Sequence, residues 1–139
     1  ILSRCDIHEG YLDTYRETPL HDAAMSLLVS HFLQTDSARG AFFAQIAARL
    51  KPGGLLVNAD LAANLTNPAN QRVFAAWKQM MTESGASAES LENYRAGFGR
   101  DFAVQTPSAV ETLMKENGFA PPSLLLQTLL IRTWLTSKA

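Results

Sequence analysis

A single cysteine, Cys5, stands in the 139 residues, so neither an intrachain disulfide nor a cluster of cysteine ligands alone can form. A reducing, cytoplasmic setting is the expectation that follows. An excess of one charge is also lacking: twelve Lys and Arg against thirteen Asp and Glu leave a formal net charge of -1. No basic field advertises a nucleic-acid backbone or an anionic membrane, although a small base-reading site needs no such field and nucleic-acid acceptors stay open. Continuous apolar runs fall far short of the roughly eighteen residues a spanning helix needs, and no charged-then-apolar leader is visible, so no membrane partner is expected. Six prolines, with 47% hydrophobic and 18% charged residues, argue against disorder or a collagen-like repeat. The three histidines, His8, His21 and His31, lack convergent spacing and an acidic pattern to support them, so no metal site is expected.

What is present is enough apolar sequence for one domain that buries roughly two-thirds of its unfolded surface. No repeat, low-complexity tract or linker interrupts it. A short strand is expected near Cys5 to Glu9, followed by a loop at Gly10. "HDAAMSLL" runs apolar from Ala23 to Leu28 without polar alternation, as in a strand covered on both faces of a parallel sheet, although a buried helix shows the same run. Asp36 or Ser37 can cap a helix whose stripe is Phe42, Phe43, Ile46, Ala47 and Leu50, with Pro52 and Gly53-Gly54 to stop it. "LLVNADLA" from Leu55 then closes a βαβ unit, whose ligand site belongs beyond the carboxyl ends of its strands.

Asn67 caps a further helix with Pro68 at its first position and Val73, Phe74, Trp77, Met80 and Met81 on the buried side. From Gly85 to Gln105 periodicity fades, with Tyr94 and Phe98 as apolar anchors. Residues 64–106 thus read as a helical lid or substrate-cover insertion. "TPSAVETLMKENGF" carries Thr106 as cap, Pro107 at the first position, Val110, Leu113 and Met114 as stripe, and Gly118 as left-handed exit. The tail predicts two strands joined near Gln127 to Leu130, an antiparallel hairpin that makes the sheet mixed.

The segments "HEGYLD" (8–13), "HDAAMSLLVSHFL" (21–33), "LKPGGLLVNADL" (50–61) and "ETLMKENGF" (111–119), in that order, resemble the later part of a class I S-adenosylmethionine-dependent methyltransferase. The resemblance implies an α/β fold, a partial Rossmann-like methyltransferase fold with a mixed sheet and an antiparallel C-terminal strand. It makes the strand near Cys5 the family's third, "HDAAMSLL" its fourth, "LLVNADLA" its fifth and the tail its sixth and seventh, in a sheet ordered 3-2-1-4-5-7-6. The first two strands, the glycine-rich cofactor loop and the acidic residue for the cofactor's ribose have no counterpart here. Gly53-Gly54 lies in a helix-to-strand turn, and "GFGRD" at 97–101 follows no strand. Without the central strands the flank of "HDAAMSLL" exposes backbone groups and apolar faces. An upstream segment, a partner chain or swapped element, or a self-sufficient small fold would each answer that need, and a homodimer is one form of the second.

By resemblance, Tyr11 and Leu12 lie against the cofactor's adenine, with Asp13 as an alternative if the register shifts. Ser26, Leu27 and Leu28 lie beside its methionine part, so the S-adenosylmethionine site is expected to be incomplete in this chain. His31 matches a "His-His-Leu"-like piece; it is a candidate base, a cofactor contact or a packing residue. Asp60, near Asn58 and Asn64, is a candidate to orient a polar acceptor, and a solvated carboxylate at a strand end explains it equally. Phe74, Trp77, Tyr94, Phe98 and Arg100 are candidate substrate contacts, Arg100 being the obvious handle for an acidic substrate. The implied activity is methyl transfer to a small-molecule acceptor, with an RNA base, or a noncatalytic module of the same shell, as alternatives. A nicotinamide enzyme is disfavoured for lack of its fingerprint.

Overall fold

The computed structural model describes residues 4–15 and 19–139. Strand β1 (His21–Leu27) leads through a 3-10 turn (Ser30–Phe32) to helix α1 (Asp36–Arg49) and strand β2 (Leu50–Leu61). Helices α2 (Pro68–Glu83), α3 (Ala88–Gly97) and α4 (Pro107–Glu116) follow, then the hairpin of β3 (Ser123–Thr128) and β4 (Ile131–Ser137). The sheet order is β1-β2-β4-β3, with β1 parallel to β2 and β4 antiparallel to both neighbours. This is the 4-5-7-6 part of the expected order, with the reversed last strand in place.

The core sits on one face of that sheet. Phe43, Ile46 and Ala47 of α1 meet Val110 and Met114 of α4 over Leu56 of β2 and Trp134 of β4. The spacing of these apolar positions is helical on the α elements and alternating on the strands, so each element turns one stripe inward. A second cluster lies toward the carboxyl end of β2, where Leu61, Ala63, Phe102 and Leu130 pack against Val73, Phe74 and Trp77 of α2 and Tyr94 and Phe98 after it.

Local signals set most boundaries. Asn67 accepts from the Ala69 amide with Pro68 at the first position, and Thr106 accepts from Ala109 with Pro107 there. The cap of α1 is Thr35, which accepts from Ala38, rather than Asp36 or Ser37. Its extended backbone (ψ 149°) marks Thr35 as the last residue outside the helix. The same helix ends at Arg49, ahead of Pro52, because Leu50 already begins β2. Residues 51–54 form a bulge in the pairing of β2 with β1, whose register jumps from His21↔Leu50 to Ala23↔Leu55.

Three further expectations are corrected. The segment Cys5 to Glu9 is exposed and irregular, because a strand exists only where a neighbour accepts its hydrogen bonds, and none lies beside it among the described residues. Strand β1 is not covered on both faces. It is a sheet edge with Met25 70% exposed and Leu27 also open. Met80, placed on the buried side of α2, is exposed.

Candidate functional site

The carboxyl ends of β1 and β2 bring together residues about thirty positions apart. Parallel pairing sets Ser26 beside Asn58 and Leu27 beside Ala59. Leu28 then takes a left-handed conformation (φ 58°) and donates its N–H to Ala59 O at 2.8 Å. That reversal turns Ser30 and His31 back over the end of β2, where Asp60, alternating in phase with Leu56 and Asn58, points to the helix-covered face.

Asp60 is 0% exposed and accepts from four groups. The Ser30 hydroxyl donates to Oδ2. Oδ1 takes the main-chain N–H of His31 (3.1 Å), that of Leu61 (3.0 Å) and the His31 ring nitrogen Nδ1 (2.6 Å). The sequence allowed a solvated carboxylate here, but the structure buries it as the hub of the site. A carboxylate only accepts, so Nδ1 carries the hydrogen and a neutral His31 ring keeps its lone pair on Nε2. The His31 side chain is 6% exposed, shielded by Phe32 (centroids 4.4 Å) and Phe102 (6.0 Å, edge-on).

Arg39 is a site residue absent from the sequence reading. Its guanidinium is wholly buried in the protein core and donates to Gln105 Oε1 (2.6 Å), Ala103 O (2.9 Å) and Leu33 O (3.3 Å). Burial pulls its pKa down from the ordinary guanidinium value, while the charges of Asp60 and Asp36 oppose that shift. A signal was available: Arg39 lies in helical phase with Phe43, Ile46, Ala47 and Leu50, a cation on a stripe that faces the core.

The expected substrate contacts separate. Phe74, Trp77, Tyr94 and Phe98 share one cluster with Phe102, with Phe74 and Phe98 at 5.2 Å and Phe98 and Phe102 at 4.8 Å. Burial pushes the Tyr94 phenol above its ordinary value. Arg100 is exposed and already paired with Asp101 at 2.7 Å, which raises the one pKa and lowers the other. The cofactor candidates also separate. Leu12 and Ser26 line an open apolar groove of about 310 Å³ between β1 and α1, with Ala24, Phe42 and Ile46. Tyr11 is 83% exposed outside it, and Leu27 and Leu28 lie at the strand end.

No family model and no curated protein matches the chain. Solved structures do. The mitomycin 7-O-methyltransferase MmcR is 18% identical with a TM-score of 0.66, over 99% of this chain and 35% of its own. TnmH is 14% identical with a TM-score of 0.67, over 99% and 36%. Human N-acetylserotonin methyltransferase, solved in complex with SAM, is 15% identical with a TM-score of 0.64, over 96% and 34%. The fold is a partial Rossmann-like methyltransferase fold. The chain spans about a third of the length of these three structures.

One of these neighbours was solved with SAM, which makes the polar atoms around the groove between β1 and α1 the ones to compare with such a ligand. Ser26 Oγ and both amide atoms of the neighbouring Asn58 are buried without a partner among the described residues; Ser26 lines the groove, and Asn58 lies behind it in register. Among the described residues, no acidic side chain lines that groove to receive ribose hydroxyls.

Proposed function

We propose that this chain forms part of a domain that transfers a methyl group from S-adenosylmethionine to a small-molecule acceptor in the cytoplasm, with His31 as the base. The observation that carries the reading is the buried Asp60–His31 pair at the carboxyl ends of the parallel strands, where ligands of open α/β sheets bind. The cofactor, when bound, supplies a methyl group already activated for in-line displacement.

The chain's own residues supply position and proton transfer. Asp60 fixes the His31 ring and its tautomer, so that Nε2 is free to take a proton from an acceptor hydroxyl or amine, and the fixed carboxylate stabilises the imidazolium that forms. Residues 64–106 act as the substrate cover, whose aromatic cluster excludes water from that nitrogen. Ser26, Leu27 and Leu28 form one wall for the cofactor, with Tyr11 and Leu12 beyond it. Further polypeptide, from an upstream segment or a partner chain that includes a second copy, completes the sheet along the open edge of β1.

Two measurements test this. Calorimetry with S-adenosylhomocysteine should show no tight binding by residues 1–139 and tight binding by the polypeptide isolated from its source; tight binding by residues 1–139 alone would contradict the incomplete pocket. In an active preparation, His31→Gln should lower kcat/KM by about 10²–10⁴ with cofactor affinity unchanged. Full activity in that variant removes His31 from the chemistry.

A further inference from the structure

Residues 103–105, which return from the helical cover to α4, are tied to the His31 turn, to α1 and to the chain just after β2. The Ala103 N–H donates to His31 O (2.8 Å), while Ala103 O accepts from Arg39 (2.9 Å). Gln105 accepts from Arg39 through its side chain, donates to Asp36, and takes the Ala63 N–H on its own carbonyl at 2.9 Å. The residue just before this strap is Phe102, whose ring stands edge-on to His31. Phe102 is further held by a tight turn in which its N–H and that of Asp101 both reach Gly97 O. Its ring packs so close to Gly97 that an added Cβ there would stand 2.6 Å from the Phe102 Cε1 atom.

From these contacts we infer that Arg39 is a positioning residue: it latches the strap so that Phe102 seals the His31 ring, and release of the latch opens that ring to solvent and acceptor. A buried cation with no carboxylate in contact among the described residues is a costly way to hold two segments together if packing were its whole role. What it does here that an apolar residue cannot is join three carbonyl-type acceptors, one from the His31 turn's exit and two from the cover's return. The latch deepens the reading of His31 as a base, and its functional meaning rests on that reading. The contacts themselves stand without it.

The test needs no cofactor. Diethyl pyrocarbonate acylates accessible imidazole nitrogens, and peptide mass mapping resolves all three histidines of the chain. His8 and His21 are exposed and serve as internal standards. In the parent protein His31 should react far more slowly than both. Phe102→Ala should raise its rate and define the open limit. Arg39→Met, which keeps the stem and removes every donor, should raise the His31 rate at least tenfold toward that limit with His8 and His21 unchanged. Gly97→Ala should do the same by displacing the ring while leaving Arg39 intact.

A folded Arg39→Met protein in which His31 stays as slow as in the parent overturns the latch. Should Arg39→Met fail to fold, Arg39→Lys carries the same test, because one ammonium cannot span the three acceptors. If neither folds, the guanidinium serves the fold rather than the seal, and the proposal fails. Because acylation reads accessibility alone, loss of the latch and loss of the methyl-transfer reading are separate results.

Discussion

Removing the Asp60 carboxylate tests the hub of the site directly. Asp60→Ala leaves the main-chain N–H groups of His31 and Leu61, the Ser30 hydroxyl and the His31 ring nitrogen without the acceptor they share. Ser30 and Asp60 are fully buried and His31 nearly so, which denies water to most of these donors. Each buried donor left unmet costs about 1–3 kcal/mol. With partial relaxation the loss should be about 3–6 kcal/mol, a large share of the roughly 5–15 kcal/mol that holds a domain folded. Asp60→Asn keeps one oxygen in place for three of the donors and lets the Ser30 hydroxyl turn to accept. It exchanges charge-assisted bonds for neutral ones of about half the strength and should cost about 1–2 kcal/mol. Urea unfolding followed by tryptophan fluorescence reads both variants, since Trp134 is fully buried and its environment is lost on unfolding. With a slope of about 1–3 kcal/mol per molar urea, the alanine variant should lose about 2 M in midpoint and the asparagine variant less than 1 M. An alanine variant within about 0.5 kcal/mol of the parent would mean that these four bonds do not form.

Two further predictions concern backbone and pH. Gly118 (φ 98°) and Gly53 (φ 73°) both hold left-handed backbone, but a Cβ at Gly118 would stand 3.1 Å from Ala47 Cβ while one at Gly53 meets nothing within 4 Å. Gly53→Ala should cost about 1 kcal/mol in conformation alone and Gly118→Ala clearly more, read as melting shifts; equal shifts would remove the steric part. Burial raises the Tyr94 pKa in the folded protein, so its contribution is intact below the unfolded phenol value of about 10 and is lost as pH rises through the folded value. Stability of the parent should therefore fall more steeply above pH 10 than that of Tyr94→Phe, and parallel curves would refute the assignment.

The elements were legible where chemistry is local. Asn67-Pro68, Thr106-Pro107 and Gly118 each act within one turn, and each sits where its cap or exit was expected. Thr35 was missed by one position because Thr35, Asp36 and Ser37 all suit an N-cap, and only backbone angle separates them. The strand order came through the resemblance, since no residue of β3 or β4 names its neighbour. Cys5 to Glu9 failed as a strand for the converse reason: strand propensity is realised only by pairing. The hub was half legible. His31 and Asp60 were both singled out, but their contact depends on a parallel register and on a leucine in left-handed conformation, neither of which periodicity encodes. Arg39 was overlooked although its phase on α1 was readable, because its nearest aromatic neighbours along the helix, Phe42 and Phe43, dominate the stripe.

Placement of polar cost separates structure from function in this fold. The face between α1 and α4 is filled by Phe43, Leu56, Val110, Met114 and Trp134, which contribute burial without a desolvation penalty. At the carboxyl ends of β1 and β2 the same face changes character: Ser30, His31, Arg39, Asn58 and Asp60 are all buried within a few residues of one another in register or hydrogen bonding. Well-packed apolar residues of similar volume often match or exceed the stability of buried ion pairs, so stability alone does not account for a carboxylate, an imidazole and a guanidinium placed there together. Their shared effect is geometric: Asp60 fixes the His31 ring through Nδ1, Phe102 stands edge-on to it, and Arg39 bonds the carbonyl of the next residue, Ala103. Under the proposed function, that arrangement would present one nitrogen in one direction beneath the cover, a demand that a core does not make.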